Sequence, residues 1–264
     1  MMTRRLDAFG AAVAIETDDP NLFTQLDQWL PAFEASASSN SPLVHYRVFA
    51  SGPSAAVVVM RGRRALAPVA GLPAAARVLA ADLVVTLSRT SAHWTFMHAG
   101  VVALGGRAII LPGASHTGKS TLVSALVREG AEYGSDEFAV IDSQGRVRPW
   151  PRWLGMRRPG QPDERVDPMR LGARIMANDV PVRAIVFTSF QAAADVDLRP
   201  VAAGDAALRM LPHCLTARAR TGPTLRALRG LAVSARAFES PRSGAAEFAR
   251  HLLALSAALS AGVP

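Results

Sequence analysis

The chain has 264 residues, 50% of them hydrophobic and 19% charged, a balance that excludes a disordered or fibrous protein and allows a sizeable core in one or two domains. Lys plus Arg outnumber Asp plus Glu by 29 to 21, a net charge of +8, and Lys119 is the only lysine, so 28 of the 29 cations are arginine. The single cysteine, Cys214, excludes an intramolecular disulfide and a cysteine-based metal cluster and fits a reducing compartment. The arginines are scattered, with adjacent pairs only at Arg4-Arg5, Arg63-Arg64 and Arg157-Arg158, so nucleic acid is not an expected partner. Arg4 and Arg5 are followed by Asp7, and the apolar stretch Ala8–Ile15 is too short for a signal peptide core. No run reaches the roughly 18 uncharged apolar residues of a membrane helix. The expectation is a cytoplasmic protein with no membrane partner.

In chain order, residues 1–90 read as a small N-terminal α+β portion and residues 91–264 as a second domain. Ala11–Glu16 reads as a strand and Asn21–Trp29 as a short helix capped by Asp19 or Asn21. Ala35–Pro42 reads as a loop. Val44–Ala50 and Ala55–Arg61 read as strands about a Ser51-Gly52-Pro53 turn, and Pro73–Ser88 as a long helix. Phe96–Leu104 and Arg107–Leu111 read as strands joined at Gly105-Gly106. The stretch Pro112–Gly118 then forms a glycine-bracketed loop. Lys119–Gly130 has the apolar spacing of a helix, with Leu122, Ala125, Leu126 and Val127 on one side and glycine at its end. Phe138–Asp142 is a strand, Ser143-Gln144-Gly145 a turn, and Arg146–Arg148 can pair back. Residues 149–181, rich in Pro, Arg and Gly, read as a long loop with a short helix near Pro168–Ala177, a length that favours function. Val182–Phe187 is a strand, Asp205–Leu211 and Leu225–Leu231 are helices, Ala232–Phe238 a final strand and Ala245–Ala257 the closing helix.

Gly113-Ala114-Ser115-His116-Thr117-Gly118-Lys119-Ser120 matches the Walker A phosphate-binding loop, two glycines bracketing four residues and followed by Lys and Ser. Gly113 and Gly118 permit the backbone angles that turn successive N–H groups toward an anion. The N-terminus of the following helix adds to that cradle. Lys119 has the reach for β- and γ-phosphates, and the Ser120 hydroxyl is a Mg²⁺ ligand in such loops. The chain keeps its one lysine where the motif requires an ammonium. About sixteen residues further, Ser135-Asp136-Glu137 offers carboxylates near where such a site needs one. The bland alternative for that pair is a solvated turn. Ala139-Val140-Ile141-Asp142 comes nearest to a Walker B run, but its Asp is also placed to start a turn. His98, on an apolar strand, reads either as a core histidine or as a partner of the acidic pair. His45, His93, His213 and His251 have no metal-site spacing.

In this order, a histidine strand, a Gly-Gly hairpin, a phosphate loop, a helix ending in glycine and an acidic pair, the segment Met97–Asp142 resembles the catalytic core of HPr kinase/phosphorylase and its shorter relatives from biosynthetic clusters. The resemblance implies an α/β fold with a P-loop kinase core of the HPr kinase/phosphoenolpyruvate carboxykinase-like type. It implies ATP and Mg²⁺ as cofactors, with Gly113–Ser120 and the adjoining Thr121 on the nucleotide and Ser120 and Asp136 on the metal. Asp136 would also serve the attacking hydroxyl, Glu137 stands where the family has a second Asp, and His98 would hydrogen-bond to the pair and tune it. Arg157 or Arg158 would contact the transferred phosphate or the acceptor. The chain departs from the bifunctional members at Ala114, His116 and Thr121. Relatives of this kind are often homo-oligomers, but the oligomeric state of this chain is not readable from its sequence.

The expected function is transfer of the γ-phosphoryl group of ATP to a hydroxyl, serine of a peptide or protein first. A kinase of a small-molecule hydroxyl, on an amino acid or sugar, and a nucleotide-binding regulatory module without transfer are the alternatives. A pure binder needs Lys119 and Ser120 but not Asp136, Glu137 and His98 together.

Overall fold

The computed structural model describes residues 1–35, 44–50, 56–114, 117–156, 160 and 164–261, and the chain divides into two compact units, Met1–Ala92 and His93–Pro264. In the first, β1 (Met2–Ala8) and β2 (Ala11–Thr17) form an antiparallel hairpin turned at Phe9 and Gly10, both at positive φ, the geometry that suits a two-residue turn between twisted strands. Helix α1 (Asn21–Leu26) and β3 (Glu34–Ala35) follow. β4 (Val44–Ala50), β5 (Ala56–Arg61) and β6 (Arg64–Ala70) complete a sheet of order β3-β1-β2-β4-β5-β6. Along β4, Val44, Tyr46 and Val48 are buried in alternation with half-buried neighbours, as a one-sided sheet requires. Helix α2 (Gly71–Thr90) packs on α1, β5 and β6 and buries Ala75, Ala76, Leu79, Leu83 and Leu87.

Two strands here carry little of the expected pattern. In β1 the charges Arg4, Arg5 and Asp7 leave only Leu6 and Ala8 buried. β6 is an edge strand that tolerates Pro68 because edge N–H groups need no partner. The expected Ser51-Gly52-Pro53 turn and most of the Ala35–Pro42 loop lie outside the described residues. Among those described, α2 is also the helix long and apolar enough to cross a membrane by length and composition, with a mean hydropathy of 1.4. Its mid-helix Asp82 is tied to the sheet: Tyr46 Oη donates at 2.7 Å and Arg61 Nη1 at 3.0 Å. Burial and the Asp82 carboxylate push the Tyr46 hydroxyl above its usual range.

The second unit contains β7 (Thr95–Leu104), β8 (Arg107–Pro112), α3 (Lys119–Arg128), β9 (Glu132–Ser135), β10 (Phe138–Ile141) and β11 (Arg146–Arg148). Then come β12 (Leu154–Met156), β13 (Glu164–Val166), β14 (Val180–Phe190), β15 (Arg199–Val201), α4 (Ala203–Met210), α5 (Thr221–Ser234), β16 (Arg236–Arg242) and α6 (Ala245–Ser260). The main sheet runs β11-β10-β7-β8-β14-β16-β15, with β9 pairing β7 and β11 also reaching β14. β8, β14 and β16 are mutually parallel, and helical segments connect them. Their apolar runs are buried on both faces, as parallel strands between helix layers are. Ile109, Leu111, Ala184 and Val186 face α3 and α6, while Ala108, Ile110, Ile185 and Phe187 face α4 and α5. Gly100 of β7 lets α3 approach, because a Cβ there would stand 2.7 Å from Val123 Cγ2.

The described residues between 149 and 181 hold more regular structure than the expected loop. β12 and β13 pair antiparallel, and the expected helix at Pro168–Ala177 is a single 3₁₀ turn over Pro168–Leu171, started by Pro168 and ended by Gly172 at φ 73°. The last strand begins later than expected. Helix α5 runs on to Ser234, burying Leu228, Leu231 and Ala232, and the chain extends only from Arg236.

Candidate active site around the glycine-bracketed loop

The loop leaves β8 at its carboxyl end and opens α3, the edge where open α/β sheets bind ligands. Gly118 sits just before α3 at φ 78°, the left-handed region open to glycine. Thr117 Oγ1 donates to Ala114 O at 2.9 Å and Lys119 Nζ to the same carbonyl at 2.6 Å, so the described loop residues close on themselves. Burial lowers the Lys119 pKa, against the charges of Glu137 and Asp136. Thr121 is exposed on the first turn of α3. Ser115 and His116 lie outside the described residues, as do Arg157 and Arg158.

Strand pairing brings the other candidates to this loop. Phe138 of β10 stands opposite His98 of β7, Ala99 N donates to Glu137 O at 2.9 Å, and Gly113 N donates to His98 O at 3.3 Å. The acidic pair is thereby held next to the start of the loop. Asp136 is 3% exposed, which rules out the solvated-turn reading for it. Its Oδ2 accepts from Ser120 Oγ at 2.7 Å and from Gly155 N at 3.0 Å. Its Oδ1 lies 3.4 Å from Arg152 Nε and 3.3 Å from Tyr133 Oη. The Tyr133 hydroxyl has one proton, and Arg152 O at 2.9 Å is its nearer acceptor. Arg152 Nη2 donates to Glu137 Oε2, so one guanidinium spans both carboxylates. Burial acts against its charge, but Asp136 and Glu137 outweigh that and hold its pKa above the ordinary value. Glu137 keeps 32% of its side chain open. Asp142 Oδ1 accepts from Gln144 N and Arg146 N, each at 2.8 Å, and so initiates a turn.

His98 meets the pair differently from the expectation. Among the described hydrogen bonds the carboxylates are reached by Ser120, Gly155, Tyr133 and Arg152. The imidazole instead lies against the Phe138 ring, with centroids 4.9 Å apart and planes tilted by 37°. Burial lowers its pKa, Glu137 opposes, and Lys119 and Arg152 add to the lowering.

Several residues at the site carry no motif. Arg152 lies in the Pro/Arg-rich stretch that drew attention to Arg157 and Arg158, but spacing does not single it out. Tyr133 lies three residues before Asp136 without forming part of a motif, and Arg242 is brought in from the end of β16. His213 arrives because Met97 bridges Cys214 antiparallel, which sets His213 opposite His98. Burial lowers its pKa, followed by Lys119 and His98. Arg165 donates to Trp153 O at 2.8 Å, and burial and Arg152 bring its pKa down to about 10.

The set can hold a phosphorylated ligand and a hard cation. Ser120 Oγ and Asp136 Oδ2 are adjacent oxygen donors of the kind Mg²⁺ takes alongside phosphate oxygens and water. Among the described residues no group of three or more His, Cys, Asp or Glu forms a metal cage. An open apolar hollow of about 320 Å³, lined by Val201, Ala232, Ala235 and Phe238 among others, lies toward the opposite end of β16.

No family model matches the sequence, and no curated protein matches it. Among solved structures the chain is similar to the Hpr(Ser) kinase/phosphatase from Coxiella burnetii, at 14% identity and a TM-score of 0.34, over 61% of this chain and 95% of that one.

Proposed function

We propose that the protein is an ATP- and Mg²⁺-dependent kinase that transfers the γ-phosphoryl group to a hydroxyl, with serine of a peptide or protein as the first candidate acceptor. The observation that carries this reading is the 2.7 Å hydrogen bond from Ser120 Oγ to Asp136 Oδ2. It joins the loop that would hold the phosphates to the carboxylates a transfer reaction needs, whereas a pure binder needs only the loop.

The environments divide the labour between the carboxylates. Asp136 has both oxygens engaged, so it suits holding Ser120 and flanking the metal rather than accepting a proton. Glu137 is the more open of the two and is the proposed proton acceptor. Ser120 and Asp136 would hold Mg²⁺, which would supply neutralisation of the charge that develops on the phosphate. Lys119 exchanges its bond to Ala114 O for a phosphate oxygen. The acceptor oxygen attacks the γ-phosphorus, the bond to the β,γ-bridging oxygen breaks, the hydroxyl proton passes to Glu137 and ADP leaves. Such transfer relies mainly on positioning and electrostatics. Arg152 supports it by holding both carboxylates, and Arg157 and Arg158 remain the candidates on the acceptor side.

The test is incubation of the protein with γ-labelled ATP, Mg²⁺ and serine peptides, free serine and sugars, read by label transfer and ADP release. The reading predicts label on a hydroxyl acceptor and ADP in equal amount. ATP binding without ADP release, whatever the acceptor, would contradict it and leave a nucleotide-binding module.

A further inference from the structure

Arg242 is the last residue of β16, whose pairing with β14 places it opposite Phe190. Because β8, β14 and β16 run parallel, their carboxyl ends share one edge, and the end of β16 reaches the loop that follows β8. There Arg242 Nη2 donates to Thr117 O at 2.9 Å and to Gly118 O at 3.3 Å. Gly118 O already accepts from Leu122 N at 3.1 Å within α3, so Thr117 O is the carbonyl that depends on the arginine. A loop that turns its N–H groups toward an anion turns carbonyls away from it, and these need donors of their own. The guanidinium also fills the space that a Cβ on Gly118 would enter.

The charge state of this arginine is the informative part. Arg242 is 4% exposed, and its Nε has no hydrogen-bond partner. Among the described residues no carboxylate pairs with it. Burial alone acts on its pKa, downward, with no neighbouring charge opposing. A guanidinium stays protonated in a protein, and a charge removed from water is costly without a counter-charge. Arg152, as deeply buried, has two carboxylates. Arg242 has a loop built to receive an anion.

We propose that Arg242 is a positioning residue of the phosphate loop, a buried cation behind Thr117 and Gly118 whose counter-charge is the polyphosphate that the loop takes up. The proposal rests on the reading of Gly113–Ser120 as a phosphate loop. It adds that the loop's affinity depends on a charge located 124 residues beyond Gly118. Removing the charge while keeping a donor for Thr117 O separates electrostatics from scaffolding, and Arg242→Gln does this, whereas Arg242→Lys keeps the charge.

The experiment is calorimetric titration of the full chain with sodium pyrophosphate and, separately, with MgATP, alongside melting of the ligand-free proteins. Arg242→Gln is expected to weaken both ligands about tenfold, as loss of a charge-assisted contact does, while its ligand-free melting temperature stays near that of the wild type. Arg242→Lys is expected to stay within about threefold of wild type, since the charge remains. Wild-type affinity in Arg242→Gln overturns the proposal. So do equal losses in both variants, an Arg242→Gln protein that fails to fold where Arg242→Lys folds, or a wild type that binds neither ligand. Pyrophosphate binding without MgATP binding would instead remove the kinase reading and leave Arg242 to be judged on the pyrophosphate titration.

Discussion

Asp136 and Glu137 are neighbours in sequence with opposite surroundings, one 3% exposed and the other with 32% of its side chain open. That contrast separates their variants. Glu137→Gln should lower turnover by roughly 10²–10⁴, the usual worth of a general base, and leave ATP affinity unchanged. Near wild-type turnover in that variant would return the proton to another group. Asp136→Asn removes charge from a buried pair, so it should cost about 3 kcal/mol in urea unfolding as well as most of the turnover. A change below about 0.5 kcal/mol would mark a solvated carboxylate instead. For His98 the sign follows from burial. Its folded pKa lies below the ordinary 6.5, so the unfolded chain binds the proton first as pH falls. The stability is present above 6.5 and is lost as pH drops through the lowered folded pKa. His98→Gln should flatten that part of the stability-against-pH curve, and an unchanged slope below 6.5 would show that the imidazole does not titrate in this way. His213, lowered by burial and then by Lys119 and His98, would keep part of the slope.

At the scale of elements, α2 offers the sharpest test of packing. Leu83 is fully buried while Val85, two residues on, is 36% exposed. Leu83→Ala should destabilise by about 2–5 kcal/mol and Val85→Ala by less than about 0.5 kcal/mol, read by chemical unfolding. Equal effects would mean that the helix does not bury the Leu83 face as described. Elements with a clean apolar period were legible in the sequence. β4, β7, β8, β14 and α3 lie where their patterns place them: the parallel strands β8 and β14 show as unbroken apolar runs, β4 as alternation and α3 as helical spacing. β1, β6, β12 and β13 were not, since charges, an edge proline and three-residue lengths erase the alternation. The loop, Lys119 and the acidic pair were readable from chain-local spacing. Arg152, Tyr133, His213 and Arg242 were not: His213 and Arg242 come from segments distant in sequence, and Tyr133 and Arg152, though near the acidic pair in the chain, stand at no motif position.

Across the whole molecule, the candidate chemistry gathers in the His93–Pro264 unit, at the shared carboxyl edge of β8, β14 and β16. The acidic pair reaches it along β7 and β10, and the arginines from beyond β11 and from the end of β16. A chain with 28 arginines keeps its lysine at the head of α3, where its described hydrogen bond goes to a loop carbonyl. Replacing it therefore removes little that holds the fold together. The most direct measurement is titration of MgATP into the wild type and Lys119→Ala, with melting of both. The account predicts binding and turnover in the wild type, an affinity at least about tenfold weaker and lost turnover in the variant, and melting temperatures that nearly coincide. Equal MgATP affinity and turnover in the two proteins would contradict it.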